Sequence, residues 1–263
     1  MKNETWIRAL SGSVYVALLV VSAHFPLINN LLFCILCMVC AAEFARMSKQ
    51  PQPRLWAVII GFSFLLIDNF LPQKYFTGLV ISSMVILLFL GINVFKASKS
   101  SNWTMGQGLL LVWGYMLIPA LCLVHLPQHN GAFFPERLIS LFVLIWTNDT
   151  FAYLTGKKWG KHKLLERISP KKTWEGFVGG IVVAIGAGLI LSNYYLHEPW
   201  YIGVLFAMMA GAMGTLGDLV ESKLKRQCGV KDSGSFMPGH GGALDRLDSL
   251  LFVTPWIYLL LQH

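Results

Sequence analysis

Apolar runs long enough to cross a membrane alternate with short polar breaks along the whole chain. Nine such runs fall at about 8–24, 26–45, 55–71, 76–95, 107–126, 137–155, 176–196, 199–219 and 247–262, each bounded by charge, proline or glycine. A helix needs roughly 20 mostly apolar residues to span the hydrocarbon core. The pattern therefore predicts an all-α, polytopic integral membrane protein with about nine transmembrane helices. The runs occupy about two thirds of the chain, which leaves no room for a separate soluble domain. The expected organisation is a single membrane domain, with N-terminal transmembrane helices over 1–135 and a catalytic region over 136–263. The first run lacks a small-x-small cleavage site, and the second begins directly after it at Pro26. It is read as a retained span. No internal repeat is apparent.

The basic residues follow the same rhythm. Loops after even-numbered runs hold Arg46, Lys49, Arg54, Lys96, Lys99, then Lys157, Lys158, Lys161, Lys163, Arg167, Lys171, Lys172, then Lys223, Lys225, Arg226, Lys231 and Arg246. The odd-numbered loops hold only Lys74 and Arg137, and Lys2 and Arg8 stand at the start of the chain. The even-numbered loops thus hold 17 of the 21 basic residues, which puts those loops in the cytoplasm.

Composition narrows the class further. Hydrophobic residues make up 55% of the 263 positions and charged residues only 13%, and the mean hydropathy is +0.59. An average soluble domain is about a quarter charged. A soluble globular protein, a disordered chain and a nucleic-acid binder are excluded on this ground. The net charge of +8 then points to cytoplasmic loops and an anionic substrate. Cys34, Cys37 and Cys40 have a metal-like spacing but sit inside one apolar run with no histidine. They are read as small buried hydrophobes. Glu43 and Asp68, near run ends, are assigned solvated or structural roles.

Two polar segments on the cytoplasmic side carry the chemistry. In the first, Asp218, Ser222 and Lys225 stand at i, i+4 and i+7 and share one helical face. Asp245 and Asp248 share a face at the start of the last helix, behind Gly239, Gly241 and Gly242. A glycine turn at a helix N-terminus allows close approach to an anion. Separated carboxylates with hydroxyl and cationic neighbours suit Mg²⁺, which takes oxygen ligands and shares them with substrate phosphates. Helix-dipole complementation is the plain alternative for Asp248. In the second segment, Ser169-Pro170 reads as an N-cap and first helical position. Lys171 and Lys172 would then fall in the first helical turn, where the dipole disfavours them. That marks them as phosphate ligands, whereas Lys157, Lys158, Lys161 and Lys163 suit a membrane-surface role. His162 and His240 are possible acid/base groups, His240 the better placed.

The stretch Ser222-Lys-Leu-Lys-Arg226, then Lys231-Asp-Ser-Gly-Ser-Phe-Met-Pro-Gly-His240-Gly-Gly-Ala-Leu-Asp245-Arg-Leu-Asp248, resembles the signature of the phosphatidate cytidylyltransferases (CDP-diacylglycerol synthases). Ser169-Pro-Lys-Lys-Thr-Trp-Glu-Gly176 resembles that family's second characteristic segment. Asp149-Thr-Phe-Ala-Tyr153 resembles its Asp-Thr-Gly-Ala-Tyr, with Phe151 in place of glycine, and Lys158 stands where arginine is common. The motifs cover about 146–248. The N-terminal half matches only as a series of apolar spans.

The resemblance implies that CTP and phosphatidic acid give CDP-diacylglycerol and pyrophosphate, at the cytoplasmic face of the cell's inner (plasma) membrane. It implies Mg²⁺, a second cation such as K⁺ and a homodimer. In this reading Asp218 and Asp245 hold Mg²⁺, with Asp149 and Asp248 as further ligand candidates. Lys225, Arg226, Lys231 and His240 join the two aspartates as catalytic candidates. Lys171, Lys172, Ser222, Arg246, Gly241 and Gly242 bind phosphate. The rival readings are a CTP-dependent polyprenol or dolichol kinase and an ion-coupled transporter. The first needs a base to activate a neutral hydroxyl. The second predicts midplane charges and often a repeat.

Overall fold

The computed structural model describes residues 2–96, 103–129, 131–239 and 241–262. His240 and Lys99 lie outside the described residues. Among those described, each apolar run becomes a helix: α1 (Lys2–Ser22), α2 (Pro26–Met47), α3 (Pro53–Phe70), α4 (Gln73–Val94), α5 (Met105–His125), α6 (Pro135–Trp159), α7 (Trp174–Leu196), α8 (Trp200–Gln227) and α9 (Leu244–Leu261). Proline opens α2, α3 and α6. Its fixed φ and missing N–H suit a first helical position, where no intrahelical donor is needed.

Among the described residues, the helices α2 to α8, seven in all, are long and apolar enough to cross a membrane. In α1 the apolar stretch is shorter, Trp6–Ser22. In α9 the first turns carry Asp245, Arg246 and Asp248. Large apolar side chains such as Phe62, Phe89, Val182 and Ile190 are well over half exposed on the outer faces. A water-soluble surface rarely carries so much contiguous apolar area, and hydrocarbon is its natural solvent. The chain is thus a multi-pass membrane protein.

The core lies around α5, which is enclosed by α2, α4 and α9. Tyr115, Leu117, Leu121 and Cys122 are fully buried there. Pro119 lacks the N–H that an α-helix would use at that point. The preceding segment Val112–Leu117 widens into a π-turn, which absorbs the missing bond. In the C-terminal half α6, α7, α8 and α9 pack in sequence order. The helices α7 and α8 approach closely at Gly188 and Gly203, where a Cβ on either would strike the other's carbonyl oxygen. Small residues at such crossings let membrane helices come together.

Two hairpins interrupt the helical fold: β1 (Gln128–His129) with β2 (Ala132–Phe133), and β3 (Lys163–Leu165) with β4 (Ser169–Thr173). The second corrects the expected helix start. Ser169 and Pro170 are strand residues, and Lys171 and Lys172 lie on β4, not in a first helical turn. Thr173 is the actual N-cap of α7, its hydroxyl accepting from Gly176 N at 3.2 Å. Pro170 biases Ser169 toward extended backbone. Glu175 completes the arrangement by accepting from Lys161 N at 3.0 Å and His162 Nδ1 at 2.6 Å, which ties the start of the hairpin to α7.

Candidate active site

A cavity of about 520 Å³ opens between α1, α6, α8, α9 and the loop that precedes α9. One wall is charged, with Asp149, Asp218, Lys225, Asp232, Asp245, Arg246 and Asp248. The other is apolar, with Val16 and Leu19 of α1 and Phe142, Ile145 and Trp146 of α6. Helix α1 is tied over the loop by Ser11 Oγ, which donates to Pro238 O at 3.1 Å, and by Tyr15 Oη, which donates to Arg246 O at 3.2 Å. A cavity with one ionic and one hydrocarbon wall matches an amphiphile with a charged head.

The charged wall has two parts. In the first, Asp218 Oδ2 pairs with Lys172 Nζ at 2.6 Å, and its Oδ1 accepts from Ser222 Oγ at 3.2 Å. Asp248 lies in the field of Asp218, Asp149 and Lys172 together. Three carboxylates from three different helices thus lie in one another's field, and Lys172 pairs with one of them, Asp218. Like charges this close repel unless a cation sits among them. Asp149 Oδ1 accepts from Asn148 Nδ2 at 3.3 Å and otherwise faces the cavity.

The second part is a closed network. Lys225 Nζ bridges Glu221 Oε2 at 2.5 Å and Asp245 Oδ1 at 2.6 Å. Asp245 Oδ2 accepts from Gly242 N at 2.7 Å and from both Ser233 N and Ser233 Oγ at 3.0 Å. Beneath it, Glu43 of α2 accepts from Ala243 N at 3.1 Å, Leu244 N at 3.0 Å and Ser233 Oγ at 3.1 Å. The chain's own carboxylates therefore fill the N-terminus of α9. Gly241 N donates to Met237 O at 3.2 Å. The backbone donors expected to cradle a phosphate at Gly241 and Gly242 are spent on holding the loop. Gly242 is required for this packing, since a Cβ there would run into Ser233 Oγ and Glu43.

The remaining predicted positions divide. Arg246 lines the cavity. Ser222 reaches it only through Asp218. Lys171 is exposed on β4, and Lys231 is exposed in the loop. Arg226 is exposed and donates to Val230 O at 3.2 Å. His162 serves Glu175. Cys34, Cys37 and Cys40 are buried free thiols, as their apolar setting predicts. Asp68 is structural, held by His125 Nε2 at 3.2 Å and Asn30 Nδ2 at 2.5 Å. From sequence alone Glu221 and Asp232 had no role in the site, although Asp232 lies within the signature stretch, and Glu43 had a solvated or structural one. For Glu43 a signal existed: a carboxylate inside an apolar run.

Among the described residues no group of three or more His, Cys, Asp or Glu converges closely enough to cage a metal ion. That geometry is compatible with Mg²⁺, which is commonly bound through one or two carboxylates and completed by substrate phosphates and water. The oxygen donors Asp149, Asp218 and Asp248, with their mutual repulsion, fit such an ion. Asp245 has both oxygens engaged by protein donors.

A sequence model of the Cytidylyltransferase family matches residues 5–263. The chain is 52% identical over 120 residues to a phosphatidate cytidylyltransferase of Bacillus subtilis, covering 45% of each chain. It is 47% identical over 125 residues to one of Staphylococcus epidermidis, 47% of this chain and 48% of that one. With one of Staphylococcus aureus it shares 46% over 126 residues, again 47% and 48%. The chain spans about half the length of the relatives it matches.

Proposed function

Because the chain belongs to the Cytidylyltransferase family, we propose that it transfers the cytidylyl group of CTP to phosphatidic acid, giving CDP-diacylglycerol and pyrophosphate. The observation that carries this reading is the two-sided cavity, with an ionic wall for a triphosphate and an apolar wall for acyl chains. A phosphate oxygen of the lipid attacks the α-phosphorus of CTP. The bond to the bridging oxygen of the β-phosphate breaks, and pyrophosphate leaves. The attacking oxygen is already anionic at neutral pH, so no protein nucleophile or strong base is required.

The difficulty is repulsion between two polyanions, and positioning and charge neutralisation overcome it. Mg²⁺, when bound, neutralises phosphate charge and fixes the triphosphate geometry. Asp218 would hold it, with Asp149 and Asp248 beside it. Lys172 sits against Asp218 and is placed to exchange that partner for a phosphate. Arg246 offers a second cation on the same wall. Asp245 keeps Lys225 aimed into the cavity and anchors the loop. Trp146, Phe142 and Leu19 exclude water from the lipid side. A second cation such as K⁺ and a homodimer remain part of the reading through the motif resemblance.

In this proposal all nine helices span the inner (plasma) membrane, and the loops after even-numbered helices are cytoplasmic. A water-soluble nucleotide and a bilayer lipid then meet at one boundary. A lipid kinase would instead activate a neutral hydroxyl with a base and move the γ-phosphate of CTP. Purified protein should incorporate label from α-³²P-CTP into phosphatidic acid only when Mg²⁺ is present. Label entering lipid from γ-³²P-CTP instead would identify a kinase, and no incorporation from either would refute both readings.

A further inference from the structure

A second cavity, of about 310 Å³, lies between α4, α8 and Trp103. It is on the side of α8 that carries Val220, Lys223 and Leu224, away from Asp218 and Lys225. Lys223 is only 8% exposed. Its ammonium donates to the carbonyls of Asn93 and Lys96. Arg167, from the turn between β3 and β4, donates to Val94 O at 3.3 Å and to Lys96 O at 2.8 Å. Lys96 itself lines the cavity. Three cations therefore converge on the last turn of α4, and Arg167 and Lys96 both lie in the field of Lys223.

The carbonyls of a helix C-terminus attract cations, but their summed charge is only about half an elementary charge. Three full charges exceed that. No carboxylate lines the cavity, and none of the three cations makes an ion pair among the described residues. Asn93 and Gln227 add two neutral polar side chains, and the rest of the lining is apolar, with Phe89, Leu90, Val94, Val220 and Leu224. Phe89 and Ile92 project outward from the same end of α4 at more than 60% exposure. The cations thus sit at one edge of an apolar groove that faces the hydrocarbon.

We propose that this cavity binds the phosphate of an anionic membrane phospholipid, with Lys96, Lys223 and Arg167 around the headgroup and an acyl chain along Phe89 and Leu90. The apolar lining and the outward position favour a lipid over free phosphate. The site is separate from the cavity assigned to the reaction.

Delipidated full-length protein in detergent is titrated with dihexanoyl-phosphatidylglycerol, dihexanoyl-phosphatidylcholine or inorganic phosphate, and bound ligand is counted by native mass spectrometry. No CTP is present, so the result does not depend on the proposed reaction. Wild type should bind one phosphatidylglycerol more tightly than phosphatidylcholine, and equimolar inorganic phosphate should not displace it. Lys96→Gln, at an exposed position, should weaken that binding about tenfold, the scale of one charge-assisted hydrogen bond. Asn93→Trp fills the cavity while leaving all three cations, and should abolish it. Unchanged binding in both variants, equal binding of phosphatidylcholine, or displacement by phosphate would each overturn the proposal.

Discussion

Glu43, near the C-terminal end of α2, accepts the backbone N–H of Leu244 at 3.0 Å across 201 positions of sequence. The same carboxylate takes Ala243 N and Ser233 Oγ, and it is buried. A negative charge at a helix N-terminus satisfies orphan donors and complements the dipole. Glu43 therefore fixes where α9 begins, and with it the positions of Asp245 and Asp248.

Glu43→Ala leaves buried donors without partners, at about 1–3 kcal/mol for each. Its thermal midpoint in detergent should fall clearly and turnover should fall with it. Glu43→Gln keeps one acceptor oxygen and should fall between the two. Wild-type midpoints and rates in both variants would show that the clamp is dispensable.

The lysine pair at 171–172 should separate. Lys172 neutralises Asp218 at 2.6 Å, whereas Lys171 is exposed on β4. Lys172→Gln should lower kcat/KM for CTP or phosphatidic acid by roughly 10- to 150-fold, equivalent to about 1.5–3 kcal/mol. Lys171→Gln should lose no more than a few-fold, and that loss should fade with salt. Equal losses at low and high ionic strength for both variants would return the pair to a common role.

Asp218 and Asp245 should fail in different ways. Asp218 faces the cavity beside two further carboxylates, so Asp218→Asn should keep its fold and lose at least about 100-fold in rate, the scale of a key electrostatic group. Asp245 joins Lys225, Ser233 and Gly242. Asp245→Asn should lower the thermal midpoint of the ligand-free protein as well as the rate. A destabilised Asp218→Asn with a normal Asp245→Asn would reverse the assignment.

Topology is tested by replacing the five native cysteines and placing single ones at Lys163, Ser235 or Gln128. A membrane-impermeant thiol reagent should reach the first two from the cytoplasm only and the third from outside only. Labelling of all three from one side would rule out the alternation of loops.

How much of this was legible in sequence follows from how local each determinant is. The helices α1 to α9 were legible because run length and proline punctuation are properties of neighbouring residues. Asp218, Ser222 and Lys225 were legible because helical spacing alone puts them on one face. The β3–β4 hairpin was not, because Ser169-Pro170 is equally suited to a helix start and an extended strand. Pairing with Lys163–Leu165 and the better cap at Thr173 decided between them. The filled N-terminus of α9 was not legible either. Glycines before a helix announce an open anion site, and only the fold reveals that Glu43 occupies it.

Lys225 is the residue on which structure and chemistry make the most distinct demands. Its ammonium sits between Glu221, 1% exposed, and Asp245, and it also lines the cavity. Removing one partner of a buried ion pair leaves uncompensated charge and typically costs about 3–5 kcal/mol. Lys225→Met should therefore unfold at a markedly lower temperature. Adding Glu221→Gln removes one of the two stranded carboxylates and should recover part of that loss, a coupling that a double-mutant cycle measures directly. If Lys225 also contacts a substrate phosphate, the double variant should remain at least about tenfold slow in kcat/KM even where its stability is restored, since that contact is worth about 1.5–3 kcal/mol. Recovery of both stability and rate would confine Lys225 to holding the loop. Recovery of neither would mean that Glu221 and Lys225 do not form the coupled pair that their 2.5 Å separation describes.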